Sequence, residues 1–357
     1  MTPHTSEFRA LRVYKTEQGM ERRVETLPWH DLPELAEGAV RIAVEYSSLN
    51  YKDALSASGA PGVTKVYPHT PGIDAAGEVV ASSDPRFSPG DGVVVTGFDL
   101  GMNTAGGYAE SITVPGDWVQ HRPPGLSSRS AMILGTAGFT AALSLMAVES
   151  GGTRPEDGML AVSGASGGVG SMSVALADEA GWRVSAGSGK TSAVYSLIQI
   201  GAAEVVAREE LSDGAQKPLL PARFAAAIDT VGGETLAALC KSLMPRGVVA
   251  ACGLVGGTSV PASVFPFILR GVAIQGIDSQ SYPAELRAAV WQRLAASEVP
   301  RRLEEAGLVT EITLDELAPY FEHILEARVS GRVVVRVLGS AEGEDAAEAE
   351  GAEDAAD

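Results

Sequence analysis

Cysteine and histidine are scarce in this chain: its 357 residues include two cysteines, Cys240 and Cys252, and five histidines. Two cysteines cannot build a disulfide framework or a four-cysteine zinc cluster, and they suit small core residues in a reducing compartment. The histidines are scattered and offer no metal-ligand spacing. The first seven residues, Met-Thr-Pro-His-Thr-Ser-Glu, also lack an apolar signal segment. We therefore expect a cytoplasmic protein without a bound metal.

Basic residues are outnumbered, with 27 Lys and Arg against 45 Asp and Glu and a net charge of −18. Eight of these carboxylates lie in residues 341–357, which contain no basic residue. Such a segment predicts a disordered, solubilising tail, the alternative being a binding site for a basic partner. The net charge of −10 that remains without the tail argues against a nucleic-acid partner, because phosphate neutralisation needs Lys and Arg.

Long hydrophobic runs are also nearly absent. The one candidate, residues 131–148, has no charged residue over 18 positions and just reaches the length of a membrane span. It is interrupted by glycine, serine and threonine. Ser127 or Ser128 can cap it as a helix, and Gly151-Gly152 can end it. We therefore expect a buried helix between domains and no membrane partner.

The chain does contain glycine at a regular three-residue spacing. A short apolar run, Met159–Val162, is followed by Gly164, Gly167 and Gly170 and then at once by a helical pattern. A second apolar strand follows about twenty residues on, as a dinucleotide-binding fingerprint requires. The helix N-terminus of such a unit binds a pyrophosphate. The alternative is a glycine turn with no ligand.

Two patterns divide the chain. Short alternating runs broken by turn signals fill residues 9–114 and predict an all-β domain, a small barrel. After residue 130, apolar strands alternate with helical patterns, which predicts a doubly wound parallel sheet. Its six strands are predicted at Met159–Val162, Trp182–Ala186, Glu204–Ala207, Ala225–Asp229, Gly247–Cys252 and Val272–Ile277.

The end of the chain returns to the first pattern. A helix near Leu314–Ala327 and a strand at Arg332–Val337 look like further material of the β domain, so the α/β domain is predicted to be inserted into it. The predicted bounds are 1–130 with 310–340 for the β domain and 131–309 for the nucleotide-binding domain.

The end of the second α/β strand indicates which dinucleotide is bound. An NAD site usually carries Asp or Glu there, but the sequence is Ser185-Ala-Gly-Ser-Gly-Lys190, with no carboxylate. Hydroxyl and ammonium donors favour a 2′-phosphate, and Arg208 can add a second cation. The pattern predicts NADPH, although Lys190 alone would more often be a solvated surface lysine.

Several segments carry a resemblance to a known family. The chain resembles the medium-chain dehydrogenase/reductase superfamily at Leu49–Asp53, Pro71–Gly77, Gly106–Glu110 and Gly135–Ala141. It is similar to the zinc-independent acrylyl-CoA reductase branch of the quinone oxidoreductase group at Asp229–Gly233, Ala251–Leu254, Pro266–Gly271 and Gly276–Ser279. The resemblance runs from about residue 9 to 338 and implies a Rossmann-type doubly wound parallel sheet inserted into a GroES-like β-barrel domain.

The resemblance also implies cofactor contacts. Backbone and side chains of Ser166, Gly167, Gly168 and Val169 would take the pyrophosphate, and Ser188, Gly189, Lys190 and Arg208 the 2′-phosphate of NADPH. The nicotinamide end would lie near Tyr51, Leu254, Ile268 and Ser279. Each of these residues has core packing or solvation as its alternative role.

Zinc-dependent relatives carry histidine and glutamate where this chain has Ile73 and Asp74, and their first cysteine ligand corresponds to the neighbourhood of Asn50. Without those ligands, reduction of an activated double bond is the favoured chemistry. The resemblance implies acrylyl-CoA as the substrate and propanoyl-CoA as the product. The alternatives are a quinone or general enone reductase, and a redox-sensing NADPH-binding protein without enzymatic activity.

The predicted catalytic residues are Asn50 and Tyr51, at the end of a barrel strand. The Tyr51 hydroxyl would orient the ring or the substrate, or donate a proton. In the alternative interpretation Tyr51 only packs at the cleft, and Lys52 and Asp53 form a surface pair. Arg270 and Lys52 are candidate cations for the CoA tail of a short enoyl-CoA.

A homodimer is also expected. The segment Phe265–Ile277 is apolar and has the pattern of the outer strand of the nucleotide sheet, where it would be exposed in a monomer. Relatives pair this strand with its copy across a two-fold axis.

Overall fold

The computed structural model describes residues 7–338, so the predicted acidic tail, residues 341–357, lies outside the described residues. Fifteen strands occur in the described part: β1 Glu7–Thr16, β2 Gly19–Pro28, β3 Ala39–Ser48, β4 Asp74–Ser82, β5 Gly92–Thr96, β6 Ser111–Pro115, β7 Val119–His121, β8 Met159–Val162, β9 Arg183–Ser188, β10 Ala202–Ala207, β11 Phe224–Asp229, β12 Leu243–Ala251, β13 Ala273–Gly276, β14 Val309–Thr313 and β15 Arg332–Arg336.

Nine α-helices join these strands within residues 7–338. They are α1 Tyr51–Ala57, α2 Ser128–Ser150, α3 Gly168–Glu179, α4 Val194–Gln199, α5 Gly233–Ser242, α6 Phe265–Arg270, α7 Ala284–Ala295, α8 Val299–Glu305 and α9 Tyr320–Leu325. The helix predicted over Leu314–Ala327 is shorter than expected, since α9 begins only after Pro319.

Alternating apolar side chains build the β domain. β1 and β2 form a hairpin, and seven strands form a sheet in the order β14-β15-β3-β4-β5-β7, with β6 also pairing with β3. Along β3, Val40, Ile42 and Val44 are fully buried and alternate with partly exposed residues, as the two-residue period of a strand requires. Because β15 returns to pair with β3, the strands β8 to β13 are inserted into this domain.

The inserted unit is a six-stranded parallel sheet in the order β10-β9-β8-β11-β12-β13. Numbered within the unit, this is 3-2-1-4-5-6, the order of a doubly wound dinucleotide-binding sheet. The predicted fold class is therefore confirmed, with strand ends that differ by a few residues. The domain bounds given above stay a prediction.

The outer strand is shorter than its sequence suggests, and the prediction of one strand over Phe265–Ile277 is wrong for its first half. Pro266 stands in the first turn of α6, where its missing N–H costs no helical hydrogen bond. Gly271 then ends α6 in the left-handed conformation, with φ of 63°. Only the four residues of β13 remain as strand, and all four are exposed.

The long apolar run forms an internal helix. Ser127 caps α2 by accepting a hydrogen bond from the Ser130 amide, and Gly151 ends the helix. In the described residues, α2 alone has the length and hydropathy of a membrane span, but 83% of its most apolar window is buried. The helix packs against β3 and β4 on one side and β11 and β12 on the other, so it joins the two units.

A buried polar cluster lies where α2 bends. Gly135 interrupts the helix with φ of 49° and ψ of −155°. A Cβ at this position would collide with the Asp74 carboxylate. That carboxylate accepts four hydrogen bonds, from Ser48 Oγ (2.6 Å), Asn50 Nδ2 (2.8 Å), Thr136 N (2.9 Å) and Thr136 Oγ1 (2.5 Å). The bend and the missing Cβ therefore allow the backbone of α2 to come within hydrogen-bonding distance of the Asp74 carboxylate.

Arg332 supplies the positive charge of this cluster. Its guanidinium is 4.0 Å from Asp74 and donates to Ser48 Oγ (2.7 Å) and to the Ile133 carbonyl (2.9 Å). Burial lowers the pKa of Arg332, but the neighbouring carboxylates oppose this effect. Because Arg332 lies on β15, Asp74 on β4 and Ile133 on α2, the cluster joins the end of the chain to both units.

Replacing Arg332 by methionine is expected to destabilise the protein by about 3–5 kcal/mol, because the buried Asp74 carboxylate would lose its cation. The measurement is urea unfolding at neutral pH. The matched control is Arg336→Met on the same strand. Its side chain is 38% exposed and lies 3.6 Å from Glu311, so its loss should cost less than about 1 kcal/mol. Equal losses in the two variants would contradict this account.

Candidate active site

The glycine turn after β8 presents uncapped backbone N–H groups at a helix end. α3 begins at Gly168, and no side chain caps it. Gly164 has φ of 58°, and a Cβ at Gly170 would overlap the Gly164 carbonyl oxygen, so the tight turn requires both glycines. A Cβ at Gly167 would meet only that same oxygen, at 3.3 Å, which leaves this side of the turn open. The turn fits a dinucleotide pyrophosphate.

The end of β9 brings together three of the residues predicted for the 2′-phosphate. The Arg208 guanidinium lies directly over the backbone of Gly189. Its side chain is 71% exposed and pairs with Glu209 at 3.1 Å, so it can turn to an anion at little cost. Ser188 is the last residue of β9, and its Oγ accepts a hydrogen bond from the Lys190 amide.

The fourth residue, Lys190, points towards the segment that leads into β15. Its Nζ donates to the Val329 carbonyl (2.6 Å) and to Ser330 Oγ (3.1 Å), and burial lowers its pKa. The Gly331 amide in turn donates to the Ser166 carbonyl. Residues 329–331 therefore border both ends of the phosphate-binding region. Sequence reasoning missed them because they lie about 140 positions away in the chain and carry no motif.

Three of the four residues predicted for the nicotinamide end lie on separate segments of the α/β unit. Leu254 follows β12 and is 56% exposed, and Ile268 lies on α6 and is 69% exposed. Ser279 follows β13 and is held against α2 by a hydrogen bond from Thr140 Oγ1 (2.8 Å). The structure therefore ties Ser279 to the helix between the units, whereas Leu254 and Ile268 belong to an exposed apolar surface.

Asn50 is the N-terminal cap of α1 and belongs to the buried cluster. Its Nδ2 donates to Asp74, and its Oδ1 accepts a hydrogen bond from Arg332 at 3.3 Å. Both polar ends of the side chain are thus engaged inside the protein. Asn50 thus holds the start of α1 in place, and its catalytic role stays a prediction.

Tyr51 and Lys52 follow at the first turn of α1 and are partly exposed. The Lys52 ammonium donates to Gln280 Oε1, on the loop after β13, and burial lowers the pKa of Lys52. Lys52 thus bridges the two units beside Ser279. This arrangement contradicts the alternative in which Lys52 and Asp53 form a surface pair.

Asp53 turns inward instead and is fully buried. Its carboxylate accepts hydrogen bonds from the amides of Asn50 (2.8 Å), Gly72 (3.1 Å) and Ile73 (2.8 Å). Burial, and secondarily the charge of Asp74, raises the pKa of Asp53 to about 7. The carboxylate therefore fixes the Pro71-Gly72 turn against the start of α1.

The positions that carry zinc ligands in the zinc-dependent relatives offer no metal site in this chain. Ile73 is apolar and 4% exposed, and the Asp74 oxygens are occupied by the four hydrogen bonds described above. Among residues 7–338, no group of three His, Cys, Asp or Glu side chains is placed to hold a metal ion. The absence of a metal stays a prediction.

Arg270 is not available to bind a CoA phosphate, so its proposed role is wrong. Its guanidinium donates to the carbonyls of Lys241 (2.8 Å), Leu243 (2.9 Å) and Leu220 (2.6 Å). These bonds fix α6 against the start of β12. Of the two candidate cations, only Lys52 lies between the units.

Two protein-family models match the chain. The alcohol dehydrogenase GroES-like domain matches residues 36–124, and the zinc-binding dehydrogenase domain matches residues 168–296. The first lies in the β domain and the second in the inserted unit, in agreement with the predicted fold.

Three relatives are similar over nearly their whole length. The probable acrylyl-CoA reductase AcuI of Escherichia coli (strain K12) is 46% identical over 88% of this chain and 95% of that protein. The putative quinone oxidoreductase YhfP of Bacillus subtilis (strain 168) is 43% identical over 92% and 99%. Its structure with NAD bound has a TM-score of 0.88, with 42% identity and coverage of 93% and 100%. The structure of E. coli K-12 YhdH with NADPH has a TM-score of 0.87, with 45% identity and coverage of 92% and 100%.

Proposed function

Because the chain belongs to the medium-chain dehydrogenase/reductase superfamily, in the quinone oxidoreductase-like group that includes acrylyl-CoA reductases, it is an oxidoreductase, and we propose that it reduces acrylyl-CoA to propanoyl-CoA with NADPH. The observation that carries this proposal is the likeness to acrylyl-CoA reductase over almost the whole chain. It is supported by Ile73 and by the fully hydrogen-bonded Asp74, which leave no donors for the zinc that would polarise an alcohol.

Both the pyrophosphate site and the 2′-phosphate site support NADPH as the proposed cofactor. The uncapped N-terminus of α3 suits a pyrophosphate, and Arg208 over Gly189 suits a 2′-phosphate. Related structures contain NADP or NADPH, although one contains NAD. Lys190 provides a point charge without the bidentate fork of an arginine, so we expect a preference for NADPH that is softened rather than absolute.

Bound NADPH would supply a hydride from its nicotinamide ring. The protein must then stabilise negative charge at the carbonyl oxygen of the thioester and deliver a proton to the α-carbon. Tyr51 and Lys52 are partly exposed donors at the start of α1, and Lys52 reaches Gln280, the residue after Ser279. We propose that Tyr51 orients the reacting groups, with proton donation as the alternative.

Quinone or enone reduction is the second candidate, and it is favoured by the likeness to YhfP. One assay separates the two: NADPH consumption with acrylyl-CoA, crotonyl-CoA and a benzoquinone side by side. We expect acrylyl-CoA to react fastest. A pocket fitted to the smaller substrate should disfavour the extra methyl group of crotonyl-CoA by about tenfold or more in kcat/KM. Benzoquinone turnover above that of acrylyl-CoA would favour the second candidate, and equal rates for the two CoA esters would contradict a small-substrate enzyme.

Arg208→Ala is expected to weaken NADPH binding by about 10- to 100-fold, because charge-assisted hydrogen bonds to the 2′-phosphate are worth about 1.5–3 kcal/mol. NADH lacks this phosphate, so its affinity should not change. Fluorescence titration with both cofactors gives the two affinities. Arg223→Ala is the control, since Arg223 is also partly exposed and pairs with Glu204 at 2.9 Å. An equal effect on NADH and NADPH would rule out this role.

Tyr51→Phe tests the two roles of the tyrosine. If the hydroxyl donates the proton, kcat should fall by about 10²- to 10⁴-fold with little change in the KM for NADPH. If the hydroxyl only orients the reactants, we expect a smaller fall in kcat together with a raised KM. Steady-state kinetics with acrylyl-CoA distinguishes these outcomes, and unchanged turnover would exclude proton donation.

We also propose that the protein is a homodimer in the cytoplasm. Large apolar side chains around α6 and the edge strand β13 are exposed; they are Leu254, Val255, Val264, Phe265, Ile268, Leu269 and Ile274. Exposed apolar side chains beside a strand with one unpaired edge are typical of an interface. Light scattering coupled to size exclusion should give twice the 36.8 kDa chain mass, and a monomer mass would contradict the proposal.

A further inference from the structure

A buried cation lies behind the loop that carries Ser279. Arg287, on α7, is 1% exposed. Its Nη2 donates to the carbonyls of Ser279 (2.9 Å) and Gln280 (3.1 Å), its Nε to the Tyr282 carbonyl (3.2 Å) and its Nη1 to Thr96 Oγ1 (3.3 Å). In the part of the chain that the structure describes, no carboxylate lies within ion-pair distance of this guanidinium. Burial lowers the pKa of Arg287 to about 10.

Two aromatic rings fix the plane of this guanidinium. Its central carbon is 4.3 Å from the ring centroid of Phe98 and 4.8 Å from that of Phe139. Phe98 is itself stacked on Trp118, with centroids 5.5 Å apart and planes within 2° of parallel. Phe98 belongs to the β domain, whereas Arg287 and Phe139 lie on helices of the α/β region. The cation therefore lies at the junction of the two units and makes a cation–π contact with a ring from each side of that junction.

The loop is also attached to the β domain by its backbone. The Phe98 amide donates to the Gln280 carbonyl at 2.9 Å. Phe98 has φ of 52°, a left-handed conformation that is costly for a non-glycine residue and persists where the surroundings enforce it. The Lys52 side chain holds Gln280 from the β domain, and Thr140 holds Ser279 from α2. The segment Ser279–Gln280 is thus anchored from three directions.

A purely structural role explains Arg287 poorly. A buried cation loses the solvation of water, at a cost that is repaid only when its hydrogen bonds are well placed. Here three of the four acceptors are consecutive or nearby carbonyls of a single loop, which a planar fork can bind together and an apolar side chain cannot. Arg287 therefore fixes the conformation of the loop from Ser279 to Tyr282.

We propose that Arg287 is a positioning residue for the nicotinamide end of the cofactor site. It fixes the backbone of Ser279 and Gln280. Through them it positions the Ser279 side chain and the Lys52 side chain, which binds Gln280 across the junction of the two units. This inference rests on the proposed function, because it takes Ser279 as a neighbour of the nicotinamide. Arg287 acts through this loop and not by touching substrate.

The test is Arg287→Lys, which keeps the charge but loses the fork. Arg293→Lys is the matched control, because Arg293 lies on the same helix and forms a bidentate pair with Glu149 at the surface, at 2.7 Å for both bonds. Three quantities are measured on folded protein: the Kd for 2′,5′-ADP, the Kd for NADPH, and kcat. 2′,5′-ADP contains the adenosine end of the cofactor and lacks the nicotinamide.

For Arg287→Lys we expect NADPH binding weakened by about tenfold and kcat lowered by about 10²-fold, because a displacement of about 1 Å at the reacting groups has effects of this size. The Kd for 2′,5′-ADP should not change, and Arg293→Lys should resemble the wild type in all three quantities. A merely structural residue would lower thermal stability without this split between the two ends of the site.

Thr140→Val provides a second route, since it removes the hydroxyl that holds Ser279 from α2 and nearly preserves side-chain volume. It should show the same split, even if Arg287→Lys does not fold. Wild-type NADPH affinity and turnover in folded Arg287→Lys, or in Thr140→Val where the lysine variant does not fold, would overturn the inference alone. An equal loss of 2′,5′-ADP binding would do the same. A wild-type protein that binds neither ligand would refute the proposed function and the inference with it.

Discussion

The contact of Asp74 with Arg332 is the interaction on which the arrangement of the active site depends. It joins β4 to β15 and, through the Ile133 carbonyl, both to the bend in α2. The same carboxylate binds the Asn50 amide group at the cap of α1, so it also sets the start of the helix that presents Tyr51 and Lys52. Where zinc-dependent relatives carry metal ligands, this chain uses charge and hydrogen bonds to hold the same region together.

Local patterns were sufficient to predict most of the fold. The glycine turn, the six alternating strands and the returning strand β15 each have a short-range signature, and the structure confirms the fold class they imply. The prediction of the outer strand was wrong for its first half because Pro266 favours the start of a helix and Gly271 its end. The apolar residues alone had suggested a strand. The prediction that Arg270 could bind the CoA tail was wrong for another reason. Its three carbonyl partners are distant in the sequence, and no local pattern reveals them.

The candidate site shows the same division. The residues at the phosphate end follow a motif, and the structure brings Ser188, Gly189 and Arg208 together. The nicotinamide end depends on contacts between distant parts of the chain, such as Lys52 with Gln280 and Arg287 with the loop after β13. The family resemblance could suggest Tyr51 and Ser279 individually. The sequence could not show that Arg287, in contact with Phe98 and Phe139, holds the loop that carries Ser279.

The central claim is that this site directs a hydride to the β-carbon of an acrylyl thioester. The most direct test is turnover of acrylyl-CoA with NADPH that carries deuterium at the transferable position of the nicotinamide ring. Proton and deuterium NMR of the propanoyl-CoA then locates the label. The account predicts one deuterium at C3 and a solvent-derived proton at C2. Deuterium at C2, or product without deuterium, would contradict it.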